Sequence, residues 1–173
     1  MDTKTTVISG QQLQQQFAYC DKIADLWLRE GRTPTAYVET YGCQQNEADS
    51  EKLRGYLAQS GYQIIQEAEG ADVVIMNTCA IREHANQRVF GNLGALTHTK
   101  RRHPRQKIFL CGCMAGQPTV SDRVKKSYPF VDGVFSTHHL WQFPEILWKV
   151  LNQKKRQFYI EDEPGSIAEG IPQ

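Results

Sequence analysis

Cysteine pairs of the zinc-binding kind are missing from this chain: apart from the lone C-x-C of Cys111 and Cys113, its five cysteines stand far apart in 173 residues, and no two are spaced as CxxC. That spacing marks most structural zinc sites and thioredoxin-like redox centres, so neither is indicated. No apolar run approaches the roughly 20 residues that a bilayer span requires, and MDTKTTVISG at the N-terminus lacks the apolar core of a signal peptide. An excess of one charge is missing as well. Lys plus Arg number 20 against 19 Asp plus Glu, a net charge of +1, which excludes a generally basic nucleic-acid binder and confines any basic surface to a local patch. Nor is there an internal repeat. The expectation is a cytoplasmic protein with no membrane partner, and 40% hydrophobic with 23% charged residues is ordinary for one domain with a real core. In a reducing compartment an odd set of cysteines points to metal binding, catalysis or burial rather than disulfides.

What is present is alternation. Leu13, Phe17, Cys20, Ala24 and Trp27 recur at helical intervals and predict an amphipathic helix that GRTP (31–34) ends. Strands are predicted over 36–40, 62–65, 72–77, 107–112 and 131–136, with a possible short one at 158–160. Helices are predicted over about 48–59, 81–97, 120–127 and 139–151. Strands alternating with helices argue for an α/β fold, an open and mainly parallel sheet of about five strands with flanking helices in a Rossmann-like three-layer sandwich. Continuous apolar runs such as VVIM (73–76) fit strands covered on both faces. The organisation expected is an N-terminal extension with its helix (1–33), the α/β domain (34–152) and a C-terminal linker (153–173), where Pro, Gly and acids replace periodicity.

Three cysteines take equivalent places in this scheme. Cys43, Cys79 and Cys113 each follow a predicted strand and precede a helix, at separations of 36 and 34 residues. A parallel sheet gathers its strand C-termini on one rim, where ligands bind, so these residues would meet there. A helix N-terminus beside a cysteine also favours the thiolate that binds metal. Three thiolates without a fourth partner suit an iron–sulfur cluster with one iron left open. Free cysteine is also a small buried hydrophobe, and a redox thiol pair is a further reading. Cys20, in register on the first helix, and Cys111, at the end of an apolar strand, are assigned to packing.

The stretches TYGCQQNEADSEKL (40–53), VIMNTCAIREHANQRVFGNLG (74–94) and CGCMAGQ (111–117) together resemble the N-terminal domain of the radical-SAM methylthiotransferases, of the UPF0004 type. Within that family the likeness is greatest to the bacterial branch acting on N6-isopentenyladenosine (dimethylallyladenosine) of tRNA, and it covers about residues 34–151. The resemblance implies that Cys43, Cys79 and Cys113 ligate an auxiliary 4Fe-4S cluster whose open iron holds the sulfur to be delivered. The implied reaction converts a C–H bond of the adenosine next to the anticodon into C–S–CH3. Gln45 stands where the family usually has Met, and Gly116 precedes Gln117 where the pattern is GCMAQ; neither departure removes a ligand. The family's CxxxCxxC motif, which holds a second 4Fe-4S cluster and cleaves S-adenosylmethionine, is absent. The chain is therefore expected to be an N-terminal fragment of a larger transferase, catalytically incomplete alone, with the radical-SAM domain and tRNA as its partners. The alternatives are a non-catalytic α/β module with core or redox-switch cysteines, and a methylthiotransferase acting on a ribosomal protein or on threonylcarbamoyladenosine.

Other residues carry weaker readings. HTKRRHPRQK (98–107) concentrates five cations in what is expected to be a loop, a possible contact for tRNA phosphates. Asn46 is expected to cap the helix after Cys43, while Asn46, Asn77 and Thr78 could donate to cluster sulfurs. Arg82, Glu83 and His84 could face the active site or form a first-turn charge pattern, and His138 and His139 are expected at a helix start.

Overall fold

The computed structural model describes residues 8–42, 44–79 and 83–160, the side chains of 83–86 excepted. Among these residues the chain runs α1 (Gly10–Glu30), β1 (Thr35–Thr40), α2 (Gln44–Gln59), β2 (Gln63–Ile64), β3 (Val73–Thr78), α3 (Glu83–Arg102), β4 (Lys107–Gly112), α4 (Pro118–Ser127) and β5 (Gly133–Phe135). A 3-10 helix (Thr137–Gln142), α5 (Phe143–Gln153) and β6 (Gln157–Tyr159) follow. The six strands form one all-parallel sheet in the order β2-β1-β3-β4-β5-β6. The strand order reverses between β1 and β3, the second and third strands across the sheet, and such a topological switch is where α/β folds keep their ligands. The α/β class is as expected. The sixth strand, only possible from the sequence, is an edge strand paired with β5.

Both faces of the sheet are covered, which is why β3 is buried along its whole length. On one face α1, α2 and α5 pack Ile23, Trp27, Leu53, Leu57, Ile146 and Leu147 against the sheet. On the other, α3 and α4 bring Val89, Phe90, Leu93, Val120 and Val124 onto Val74, Met76, Ile108 and Leu110. Phe109, Phe135 and Phe143 are fully buried with edge-on and tilted rings, 5.4–6.5 Å between centroids. Each such ring contributes about 2–3 kcal/mol through burial.

Helix ends differ from expectation. α1 begins with a Ser9–Gln12 capping box and buries Gln16, Cys20, Ile23 and Trp27, so the stripe is rotated and Phe17 lies on its exposed side, 42% accessible. Gln16 is buried because it bonds α5: its Nε2 donates to Glu145 Oε1 and its Oε1 accepts from the Glu145 N–H. α2 starts at Gln44, four residues before the predicted start, and α3 runs on to Arg102, turning 98–102 from loop into helix. No described helix is long and apolar enough to cross a membrane.

Candidate metal centre at the C-terminal rim of the sheet

The register of the central strands builds the site. β3 and β4 are paired to their ends, Thr78 opposite Gly112, so Cys79 and Cys113 issue side by side from neighbouring strands, whose spacing is about 4.8 Å. Cys79 is half-buried and Cys113 exposed. The Cys113 Sγ lies 3.6 Å from the hydroxyl of Thr137, the first residue of the 3-10 helix that follows β5. Glycine makes this approach possible. Gly112 has φ +101°, and a Cβ there would fall 2.1 Å from the Thr78 carbonyl oxygen.

The third cysteine-bearing turn reaches the same corner. Cys43 lies outside the described residues, but Gly42 before it has φ +133°, and a Cβ on it would meet the Cys79 Cβ at 2.6 Å and Asn46 Oδ1 at 2.5 Å. Gly42 is thus pressed against Cys79. Among the described residues no group of three His, Cys, Asp or Glu is arranged to hold a metal ion. The donor set nonetheless fits a cluster bound by thiolates: two accessible thiols adjoin on one rim, with the residue before a third in contact with one of them.

A buried polar clamp holds the turns together. Asn77 Nδ2 donates to the Asn46 carbonyl (2.8 Å) and to Ser50 Oγ (3.0 Å), and Ser50 shares a 2.7 Å bond with Thr40. Asn46 Nδ2 donates to the Thr78 carbonyl (2.9 Å), and Thr78 Oγ1 to the Cys111 carbonyl (2.6 Å). Tyr41 N–H closes the set on the Asn77 carbonyl at 2.7 Å. Asn46 is therefore not an N-cap: it sits inside the first turn of α2 and ties that turn to β3. The Asn77 and Thr78 side-chain donors are engaged by protein oxygens, so their role is to fix the turns. These contacts join residues 31–33 apart in sequence, and no local pattern in the chain announces them.

Residues 35–136 match the family model described as "Uncharacterized protein family UPF0004". The chain belongs to the UPF0004 family. Its similar relatives include the tRNA-2-methylthio-N(6)-dimethylallyladenosine synthase of Clostridioides difficile strain 630, 40% identical over 97% of this chain and 36% of the relative. The proteins of that name from Caldicellulosiruptor saccharolyticus and Acetivibrio thermocellus are 42% and 38% identical, over 86% and 98% of this chain and 32% and 36% of the relatives. The chain spans about a third of the length of the curated relatives it matches.

In this UPF0004 domain the remaining cysteines are packing residues, as expected. Cys111 is wholly buried among the sheet and helices, and desolvation pushes its thiol well above the ordinary range. Cys20 is 1% exposed, and burial raises its pKa too. Tyr41, at the end of β1, is raised to about 12 by burial, although Asn92 Nδ2 donates to its hydroxyl.

The basic stretch 98–107 lies away from the cysteines. α3 leaves the rim beside Cys79 and β4 returns to it, so the stretch sits at the opposite end of six-residue strands, about 20 Å off. Three of its charges are paired: Lys100 with Asp132, Arg102 with Glu69, and Arg105 with Glu30. Lys107 is pulled below the usual lysine range by burial. Arg82 lies outside the described residues, as do the side chains of Glu83 and His84. His138 and His139 lie in the first turn of the 3-10 helix, with His139 Nδ1 2.8 Å from Gln142 Oε1. Beside this helix a cavity of about 930 Å³ opens to the rim, lined by Gln45, Asp49, Tyr56, Thr137, His138 and Trp141.

Proposed function

We propose that this domain binds an auxiliary 4Fe-4S cluster through Cys43, Cys79 and Cys113 and belongs to a cytoplasmic tRNA methylthiotransferase. The modification is the addition of a methylthio group to N6-isopentenyladenosine. One observation carries the reading: the Cys79 and Cys113 turns adjoin on one rim, with Gly42, the residue before Cys43, in contact with Cys79. The relatives' names supply the substrate, and the reaction also calls for a radical-SAM domain with its own cluster and S-adenosylmethionine.

When bound, the cluster supplies an iron without a protein ligand, open to exogenous sulfur. The chain's residues do the holding. Thiolates of the three cysteines bind; Asn46, Asn77 and Thr78 set the separation of the turns; Gly42 and Gly112 let the backbones approach. Cys20 and Cys111, buried with raised pKa values, stay out of the donor set.

Anaerobic reconstitution with iron and sulfide tests the reading. Cys43→Ala, Cys79→Ala and Cys113→Ala each lose the thiolate-to-iron absorption, while Cys20→Ala and Cys111→Ala keep it. Equal loss in a control variant, or full absorption in any of the first three, overturns the ligand assignment.

A further inference from the structure

Charge is divided unequally between the two helical layers. α1, α2 and α5 together carry seven acids against five lysines and arginines, whereas α3 and α4 carry two acids against seven. A chain of net charge +1 therefore has one layer at −2 and the other at +5, a separation that its total conceals. Next to the cysteine rim the positive layer presents Arg88 and Arg123. Arg123 sits over Phe90, its Cζ 3.8 Å from the ring centroid, and Arg88 stands 5.7 Å over Tyr41, two residues before Cys43. Neither has a carboxylate partner among the described residues.

That distinguishes them from seven other cations of this protein. Arg29, Arg32, Arg54, Lys100, Arg102, Arg105 and Lys149 are all paired with acids. An arginine stacked on an aromatic face loses little freedom when it meets an anion, and its N–H edge stays free for phosphate oxygens. Between α3 and α4 a cavity of about 520 Å³ is lined by Gln87, Phe90, Gly91, Gln117, Thr119 and Arg123, offering carboxamide and hydroxyl groups beside the guanidinium. Further along α4, Lys126 is exposed and Lys125 stands 4.8 Å over Phe158, with Asp122 the single acid of the helix. The cavity on the opposite layer, by contrast, balances Asp49 with Lys52 and is flanked by the net-negative α1 and α2.

We propose that the α3/α4 face, entered at Arg88 and Arg123, is the surface on which this domain holds the phosphate backbone of its RNA, and that the 98–107 stretch is not. The assignment rests on the methylthiotransferase reading for the identity of the polyanion, and on the layer charges and unpaired arginines for the surface. Contacts of this kind fix register and orientation on the RNA, not sequence.

The test is salt-titrated fluorescence anisotropy of the 173-residue chain with a labelled RNA stem-loop. Arg88→Gln with Arg123→Gln weakens binding and lowers the slope of log affinity against log salt by about two, one for each phosphate no longer neutralised. Arg88→Lys with Arg123→Lys restores most of the slope, and Lys125→Gln with Lys126→Gln lowers it further. Arg101→Gln, Arg102→Gln and Arg105→Gln together leave it unchanged. Absence of RNA binding by the wild type, an unchanged slope in the α3/α4 variants, or an equal loss in the 98–107 variant overturns the proposal. Equal binding of polyglutamate does so too, because the surface would then be a general anion patch. Iron reconstitution of the same variants keeps the two readings apart: intact absorption with abolished RNA binding concerns the surface alone, and failed reconstitution of the wild type concerns the cluster.

Discussion

Asp72 shows how much a single side chain can carry in this fold. It is 4% exposed at the start of β3, at the end of the sheet remote from the cysteines. Its carboxylate takes Arg32 Nη2 at 2.6 Å, the Thr35 N–H at 2.8 Å and His103 Nε2 at 2.9 Å. Burial pushes its pKa up, but Arg32, the Thr35 amide and His103 together outweigh burial and leave it below the usual carboxylate range. A depressed folded pKa stabilises the protein above the unfolded value of about 4, and that stability disappears as pH falls through the folded value. Asp72→Asn is therefore expected to lower the unfolding free energy by about 3 kcal/mol at pH 7. In urea titrations across pH the gap from wild type should narrow below about pH 4; a gap independent of pH would contradict the ionic account. A lone aspartate before an apolar run gives no hint of its partners, because Arg32 and His103 come from 40 and 31 residues away.

At the scale of elements, strands are the legible part of the sequence and helix starts are not. β4 occupies 107–112, as KIFLCG predicts, because a strand covered on both faces is written as an unbroken apolar run. The first turn of α2, QQNE, has no apolar periodicity to announce a helix. It is held by Asn46, whose side chain and carbonyl both bond β3. The end of α3 is hidden in the same way, since its basic last turn reads as solvated loop until Glu69 and Asp132 are seen to pair it. The clamp makes a prediction at this scale. Asn77→Ala takes one bond each from the Asn46 carbonyl and the Ser50 hydroxyl, the latter keeping Thr40, so thermal or urea unfolding should report a loss of about 1–3 kcal/mol. Iron should also be released faster from the reconstituted domain, since the α2 turn is no longer tied to β3. Unchanged iron retention would mean that the clamp supports the fold without positioning the site.

For the whole molecule, topology does what no local motif could. Three cysteines 36 and 34 residues apart are readable as a set because each ends a predicted strand, and parallel strands share a rim. The separation of charge between the helical layers cannot be read that way, since it depends on which helices share a face of the sheet. Its strength also depends on pairing: the densest run of cations in the sequence is largely neutralised at the far end, whereas two isolated arginines near the rim are not. The central claim is the convergence of three thiols, and it can be tested without assembling a cluster. Arsenite condenses with three neighbouring thiols on one arsenic atom, releasing three waters, whereas two thiols leave one hydroxyl on the arsenic, so intact-mass measurement of the reduced, metal-free chain separates the two adducts. The hydroxyl-free, three-thiol adduct should form on the wild type, be lost in Cys43→Ala, Cys79→Ala and Cys113→Ala, and persist in Cys20→Ala and Cys111→Ala. A wild-type chain that forms no three-thiol adduct, or a three-thiol adduct that survives loss of any of the three, would contradict the account.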